Sequence, residues 1–138
     1  MTSRVLLVED ASSFRKMLGA FLRKNNYEVY EAWSLASARR LLPSVQPNLM
    51  LLDLQLEDGD GYSLLREYSD QDMSILVISA RDEVGDRVIS LELGAEDYMV
   101  KPIDLRELLL RMRRIERLAA GPRGRHETAR RPAARRSP

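Results

Sequence analysis

Five short runs rich in apolar residues, RVLLV (4–8), YEVYE (27–31), NLMLLD (48–53), SILVIS (74–79) and EDYMV (96–100), begin 23, 21, 26 and 22 residues apart. Each has the length of a strand, and each gap has room for one helix. The gaps carry the helical period. Phe14, Met17, Leu18, Phe21 and Leu22 keep it in the first, with Ser12 or Ser13 as N-cap. Leu35, Ala38 and Leu42 keep it in the second, and Gly61, Leu64, Leu65 and Tyr68 in the third. Val84, Val88 and Leu91 mark a fourth helix closed by Gly94, and Leu105, Leu108, Leu109, Met112 and Ile115 share one face of a fifth. Parallel strands need a crossover helix between them, so strict alternation predicts a parallel sheet with helices on both faces. The expected fold class is α/β, a doubly wound five-stranded parallel sheet with five helices.

Composition limits what such a fold can do. A chain of 138 residues can bury one core, and the absence of cysteine excludes disulfides and thiolate metal sites. The N-terminal run VLLV stops at Glu9, too short for a signal peptide or a membrane span, so the protein reads as cytoplasmic. The net charge of +1 hides a split: residues 1–110 carry 12 Lys+Arg against 19 Asp+Glu, whereas residues 111–138 carry 10 against 2. The final stretch AGPRGRHETARRPAARRSP is too poor in large apolar residues to offset the entropy of ordering. Residues 120–138 therefore read as a basic Pro/Arg-rich linker or tail after a folded unit of residues 1–119.

In doubly wound sheets, function gathers in the crevice beyond the carboxyl ends of the strands. Glu9 and Asp10 end the first expected strand, Asp53 the third, Ser79 the fourth, and a lysine, Lys101, the fifth. Taken singly, Ser79 fits a helix cap and Lys101 a surface charge. Taken together, the five face one crevice. Neighbouring carboxylates repel one another unless a hard cation sits among them, and Mg²⁺ takes oxygen ligands of this kind. With a hydroxyl and an ammonium added, the crevice suits a tetrahedral phosphoryl group. Of the acids in LLDLQLEDGDG, only Asp53 stands at a strand end; Glu57, Asp58 and Asp60 fall in the loop and at the start of the third helix, where acids favour the helix dipole.

The motifs VLLVED, LLDLQLEDGDG, VISAR, GAEDY and KP, in this order, resemble a bacterial two-component response regulator receiver domain over residues 3–118, CheY-like and most similar to the OmpR/PhoB class. The resemblance implies the sheet order 2-1-3-4-5 and a phosphoryl group accepted by Asp53 from a sensor histidine kinase. It implies Mg²⁺ held by Asp10, Asp53 and the backbone carbonyl of Gln55, with Glu9 acting through a metal-bound water. Lys101 would pair with a phosphate oxygen and Ser79 would donate to another. Tyr98 would be an aromatic switch that turns inward when Ser79 moves, and Lys101–Pro102 would be cis. Physical chemistry supports these roles, because a carboxylate is a weak nucleophile toward phosphorus until the phosphoryl charge is neutralised. Two departures stand out: Glu57 occupies a position where many relatives have proline, and Ser79 replaces the more usual threonine. Gln55 and Arg81 hold positions that, by the same resemblance, tune hydrolysis of the acyl phosphate.

The resemblance further implies a homodimer through the fourth helix, fifth strand and fifth helix, with Arg87 facing Glu107 and Asp97 facing Arg111 across the interface. Because the chain ends at Pro138 inside the linker-like stretch, the reading is a receiver whose DNA-binding domain is absent from this chain, with a transcriptional output; the alternative is a stand-alone receiver acting through protein contacts. A haloacid-dehalogenase-type phosphohydrolase also uses an aspartyl nucleophile but needs an acid two positions later, where Gln55 stands. Asp58, Asp60, Gly61 and Glu67 match part of a calcium loop, yet Leu56 and Leu64 occupy ligand positions and no entering helix precedes it. No G-x-x-x-x-G-K phosphate loop exists in the chain. The expectation is thus a phosphoacceptor with at most self-hydrolysis and no membrane contact.

Overall fold

The computed structural model describes residues 3–120. In chain order the elements are β1 (Arg4–Val8), α1 (Ser12–Lys24), β2 (Glu28–Ala32), α2 (Leu35–Val45), β3 (Leu49–Leu52), the two-residue strands β4 (Gln55–Leu56) and β5 (Gly59–Asp60), α3 (Tyr62–Tyr68), β6 (Ser74–Ser79), α4 (Val84–Glu92), β7 (Asp97–Val100) and α5 (Leu105–Ala119). The long strands form one sheet in the order β2-β1-β3-β6-β7 with every pair parallel. Counting the five expected strands in sequence, this is the order 2-1-3-4-5. The antiparallel β4–β5 hairpin is a small addition between β3 and α3.

Strand side chains alternate between two cores. Leu6, Val8, Met50, Leu52, Ile75 and Val77 pack with Leu35, Ala38 and Leu42 of α2 and with Leu64 and Leu65 of α3. Val5, Leu7, Leu49, Leu51, Leu76 and Ile78 face the other side, against Leu18 and Leu22 of α1 and Leu108, Met112 and Ile115 of α5. A strand buried on both faces must be apolar at successive positions, which is why VLLV, LMLL and ILVI are unbroken runs. Truncating any of these leucines to alanine costs about 2–5 kcal/mol through lost burial and the cavity left behind.

Local chemistry departs from the expected pattern in three places. Helix α1 has Ala11 as its cap and no serine cap; the Ala11 N–H instead donates to Glu9 Oε2 at 2.9 Å, so the start of the helix is fastened to an acid. Asp58 does not serve α3. Its carboxylate accepts from the N–H groups of Leu35 and Ala36 at 2.8 and 3.1 Å, and these bonds to α2 hold it below the usual carboxylate range. Helix α4 is inverted: Val84 is 73% exposed, Val88 43% and Leu91 45%, while the only buried residue of the helix is Ser90. The apolar period marked a helix correctly but not the side that is covered, because α4 rests on polar groups, with the Tyr62 hydroxyl donating to Asp86 Oδ1 at 2.6 Å.

The hairpin is closed by Gly61, whose N–H donates to Leu54 O at 2.7 Å. A Cβ there would stand 2.6 Å from the Asp53 carbonyl oxygen and 2.9 Å from Leu54 Cα, and backbone cannot yield as a side chain can. Gly85, on α4, has nothing within 4 Å of a built Cβ. Gly61→Ala is therefore expected to cost about 1–3 kcal/mol in urea denaturation, as overpacking does. Gly85→Ala is expected to stabilise by about 0.5 kcal/mol through the unfolded state. Shifts of the same sign in both variants would contradict this packing.

Candidate functional site

The sheet ladders run one residue past the strands and bring the site into register. Glu9 N–H donates to Ala32 O at 2.9 Å, Asp53 N–H to Val8 O at 3.0 Å and Lys101 N–H to Ser79 O at 2.8 Å. Glu9, Asp53 and Lys101 are thereby held level at the carboxyl edge by backbone bonds that no side-chain change disturbs. Glu9 and Asp53 are almost fully buried, Asp10 is partly exposed, and Ser79 has no exposed surface.

The Lys101 ammonium joins two strands. Its Nζ lies 2.8 Å from Glu9 Oε1 and 2.9 Å from Asp53 Oδ2, and 4.9 Å from the centroid of the Phe14 ring. The second oxygens are also held: Glu9 Oε2 by Ala11 N–H, and Asp53 Oδ1 by Gln55 N–H at 3.0 Å. Burial pushes the Glu9 carboxyl up, partly countered by the bonds from Lys101 and Ala11 and reinforced by the nearby Asp53 charge. Burial opposes the charge on Lys101, but its bonds to Glu9 and Asp53 outweigh that and raise it above the ordinary lysine value.

Carboxylate oxygens of Glu9, Asp10 and Asp53 lie within 4.8 Å of one another. Lys101 pairs with two of these acids and Asp10 has no such partner, so the three carboxylates carry more negative charge than the one ammonium offsets. The donor set is oxygen only, and the fit is to a hard divalent cation of the Mg²⁺ class.

Ser79 and Tyr98 meet at one peptide segment. Ser79 Oγ accepts from Arg81 N–H at 3.1 Å, and the Tyr98 hydroxyl donates to Arg81 O at 2.8 Å. Tyr98 is thus already inward, its phenol pushed up by burial, with the Arg87 guanidinium 5.8 Å from its ring centroid. The Arg81 side chain reaches Asp60 Oδ2 at 3.3 Å and Asp86 Oδ1 at 3.6 Å. Lys101–Pro102 is cis.

The four residues expected at a dimer interface line one groove with Leu91 and Tyr98. Within the single chain, however, Arg111 pairs with both Asp97 (2.7 Å) and Glu107 (2.8 Å). Glu107 and Asp97 therefore have an in-chain partner. One participant near the acids escaped the sequence reading: Arg15, 9% exposed, which donates to Glu9 O at 2.8 Å. Its signal was a charge three and seven residues before Leu18 and Leu22, on the inward face of α1.

Comparison with known proteins gives the family and the fold. The pattern of the response regulator receiver domain matches residues 5–113. Protein PetR of Rhodobacter capsulatus is 39% identical over 125 residues, covering 86% of this chain and 53% of that protein. The transcriptional regulatory protein CssR of Bacillus subtilis is 37% identical over 121 residues, with the same coverage of 86% and 53%. The chain spans about half the length of these curated relatives. The BeF3-activated N-terminal receiver domain of RstA from Klebsiella pneumoniae superposes with a TM-score of 0.75 at 30% identity, over 80% of this chain and 95% of that one. Among the described residues no helix is long and apolar enough to cross a membrane. With its doubly wound sheet and acid-lysine crevice, the chain belongs to the response regulator receiver domains of two-component systems.

Proposed function

We propose that this receiver accepts a phosphoryl group on Asp53 from the phosphohistidine of a sensor histidine kinase, and that the change at Ser79 and Tyr98 is passed to the α4–β7–α5 face. The observation that carries the reading is the Lys101 ammonium lodged between Glu9 and Asp53, beside Asp10. An oxygen of Asp53 forms the new O–P bond as the P–N bond to the kinase imidazole breaks, and the imidazole leaves with a proton from solvent. Lys101 neutralises a phosphoryl oxygen, and the Gln55 N–H keeps the nucleophile in line. Ser79, whose oxygen accepts the Arg81 N–H, has its own hydroxyl proton to donate to a further phosphoryl oxygen. Asp10, Asp53 and the Gln55 carbonyl would hold Mg²⁺, with Glu9 acting through water; the ion supplies charge neutralisation at the transferring group.

That the RstA relative is a BeF3-activated receiver domain supports a receiver that can be switched on, and the name of CssR supports a transcriptional output. The half-length coverage of the relatives supports a DNA-binding domain joined through residues 120–138, of which 121–138 lie outside the described residues. We read the whole as cytoplasmic, of the OmpR/PhoB class, and as a switch rather than a turnover enzyme. Dimerisation would use the groove of Arg87, Asp97, Glu107 and Arg111, where Arg111 exchanges in-chain partners for those of a second copy. The exposed Val84, Val88 and Leu91 would supply the apolar contact.

Intact mass after incubation with acetyl phosphate and Mg²⁺ is expected to rise by one phosphate in the wild type, and not to rise in Asp53→Asn or with EDTA. A gain that persists in Asp53→Asn, or is indifferent to EDTA, would overturn the assignment. In analytical ultracentrifugation, beryllofluoride with Mg²⁺ is expected to raise the dimer fraction. Arg87→Ala is expected to weaken that dimer only a few-fold, since exposed pairs contribute about 0.2–1 kcal/mol each. A strictly monomeric beryllofluoride complex would contradict the dimer.

A further inference from the structure

We propose that Arg15 is a positioning residue for the Glu9–Asp10 acid pair, setting the direction of Asp10 toward the cation through the backbone of Glu9. The inference rests on the Mg²⁺-dependent reading above and adds a residue to it. Arg15 occupies an inward position of α1 in line with Leu18 and Leu22, where an apolar side chain would pack without the cost of burying a charge. Its Nη1 donates to the Glu9 carbonyl at 2.8 Å in a fully buried contact, and its Nε to Glu31 Oε1 at 3.2 Å. The peptide between Glu9 and Asp10 is planar, so holding the Glu9 carbonyl also sets the orientation of the Asp10 N–H and the departure of its Cα. The remaining polar atoms of Glu9 are already held: its N–H by Ala32 O, Oε1 by Lys101 and Oε2 by Ala11. Asp10 has no ion-pair partner among the described residues, so the backbone that sets its Cα–Cβ direction is what confines its carboxylate to the side facing Glu9 and Asp53.

A simple staple between α1 and β2 would use the same Arg15–Glu31 contact, and Arg23 provides the control for it. Arg23 Nη1 also reaches Glu31, at 3.1 Å, and its Nη2 donates to Val29 O at 2.8 Å, but it makes no contact with Glu9. The test is Mg²⁺ titration by isothermal calorimetry on the full chain, with no phosphodonor present, at a temperature where every variant is folded by circular dichroism. Arg15→Met keeps the bulk and removes the donors. It is expected to weaken Mg²⁺ binding about 10-fold or more, the loss typical when a group supporting a metal ligand is removed. Arg23→Ala is expected to leave the affinity unchanged. Arg15→Lys, which keeps charge without the two-pronged fork, is expected to fall between Arg15→Met and wild type, and it serves alone if Arg15→Met does not fold. Wild-type affinity in the Arg15 variants, or equal weakening in Arg23→Ala, overturns the inference and leaves the phosphoacceptor reading standing. A wild-type chain that takes up no Mg²⁺ overturns both.

Discussion

The contact on which the site depends is the Lys101 ammonium held by Glu9 and Asp53. Two nearly buried carboxylates at adjacent strand ends repel each other and lose hydration, and a buried charge without a partner costs several kcal/mol. Lys101 offsets both from β7, which lies two places from β3 in the sheet, so its side chain must cross the end of β6. That strand ends in the small residue Ser79 and is followed by Ala80. The ion pair therefore ties three strands at one edge, while the backbone bonds of Glu9, Asp53 and Lys101 set its height above the sheet. Metal and phosphoryl group, on the proposed reading, enter a site whose charges are already in place.

From this edge a short chain of contacts leads toward α4. The Arg81 peptide segment is gripped by Ser79 Oγ at its N–H and by the Tyr98 hydroxyl at its carbonyl, and the Arg81 guanidinium reaches Asp86 on α4. On the proposed reading, a movement of Ser79 toward a phosphoryl group draws on that segment, because its Oγ holds the Arg81 N–H. Helix α4 is suited to respond on that reading, because its one buried residue is Ser90 and no leucine of the helix is buried. Its exposed valines and leucine would gain burial only against another surface.

Much of this was legible in the chain. Strand runs such as LMLL and ILVI could be read because central parallel strands are apolar on both faces, and Asp53 stood out because it alone among the acids of LLDLQLEDGDG follows such a run directly. What escaped depended on contacts between distant segments. Asp58 caps α2, more than 20 positions away, instead of the adjacent α3. The inversion of α4 was invisible because periodicity shows that a helix has an apolar side without showing what lies on it. The expected serine cap of α1 is absent because the helix already starts at Ser12, behind Ala11, whose N–H is held by the Glu9 carboxylate. Arg15 was passed over because a charge on an amphipathic helix reads as solvated until its buried partner is seen.

The claim most exposed to test is that Asp53, of all the acids gathered here, carries the phosphoryl group. Borohydride reduces an acyl phosphate of aspartate to homoserine, which marks the residue in peptide sequencing by mass spectrometry. After treatment with phosphodonor and Mg²⁺, reduction is expected to place homoserine at residue 53 and leave positions 10, 58 and 60 as aspartate. Homoserine at any of those three positions, or at none in a chain shown to have gained phosphate, would contradict it.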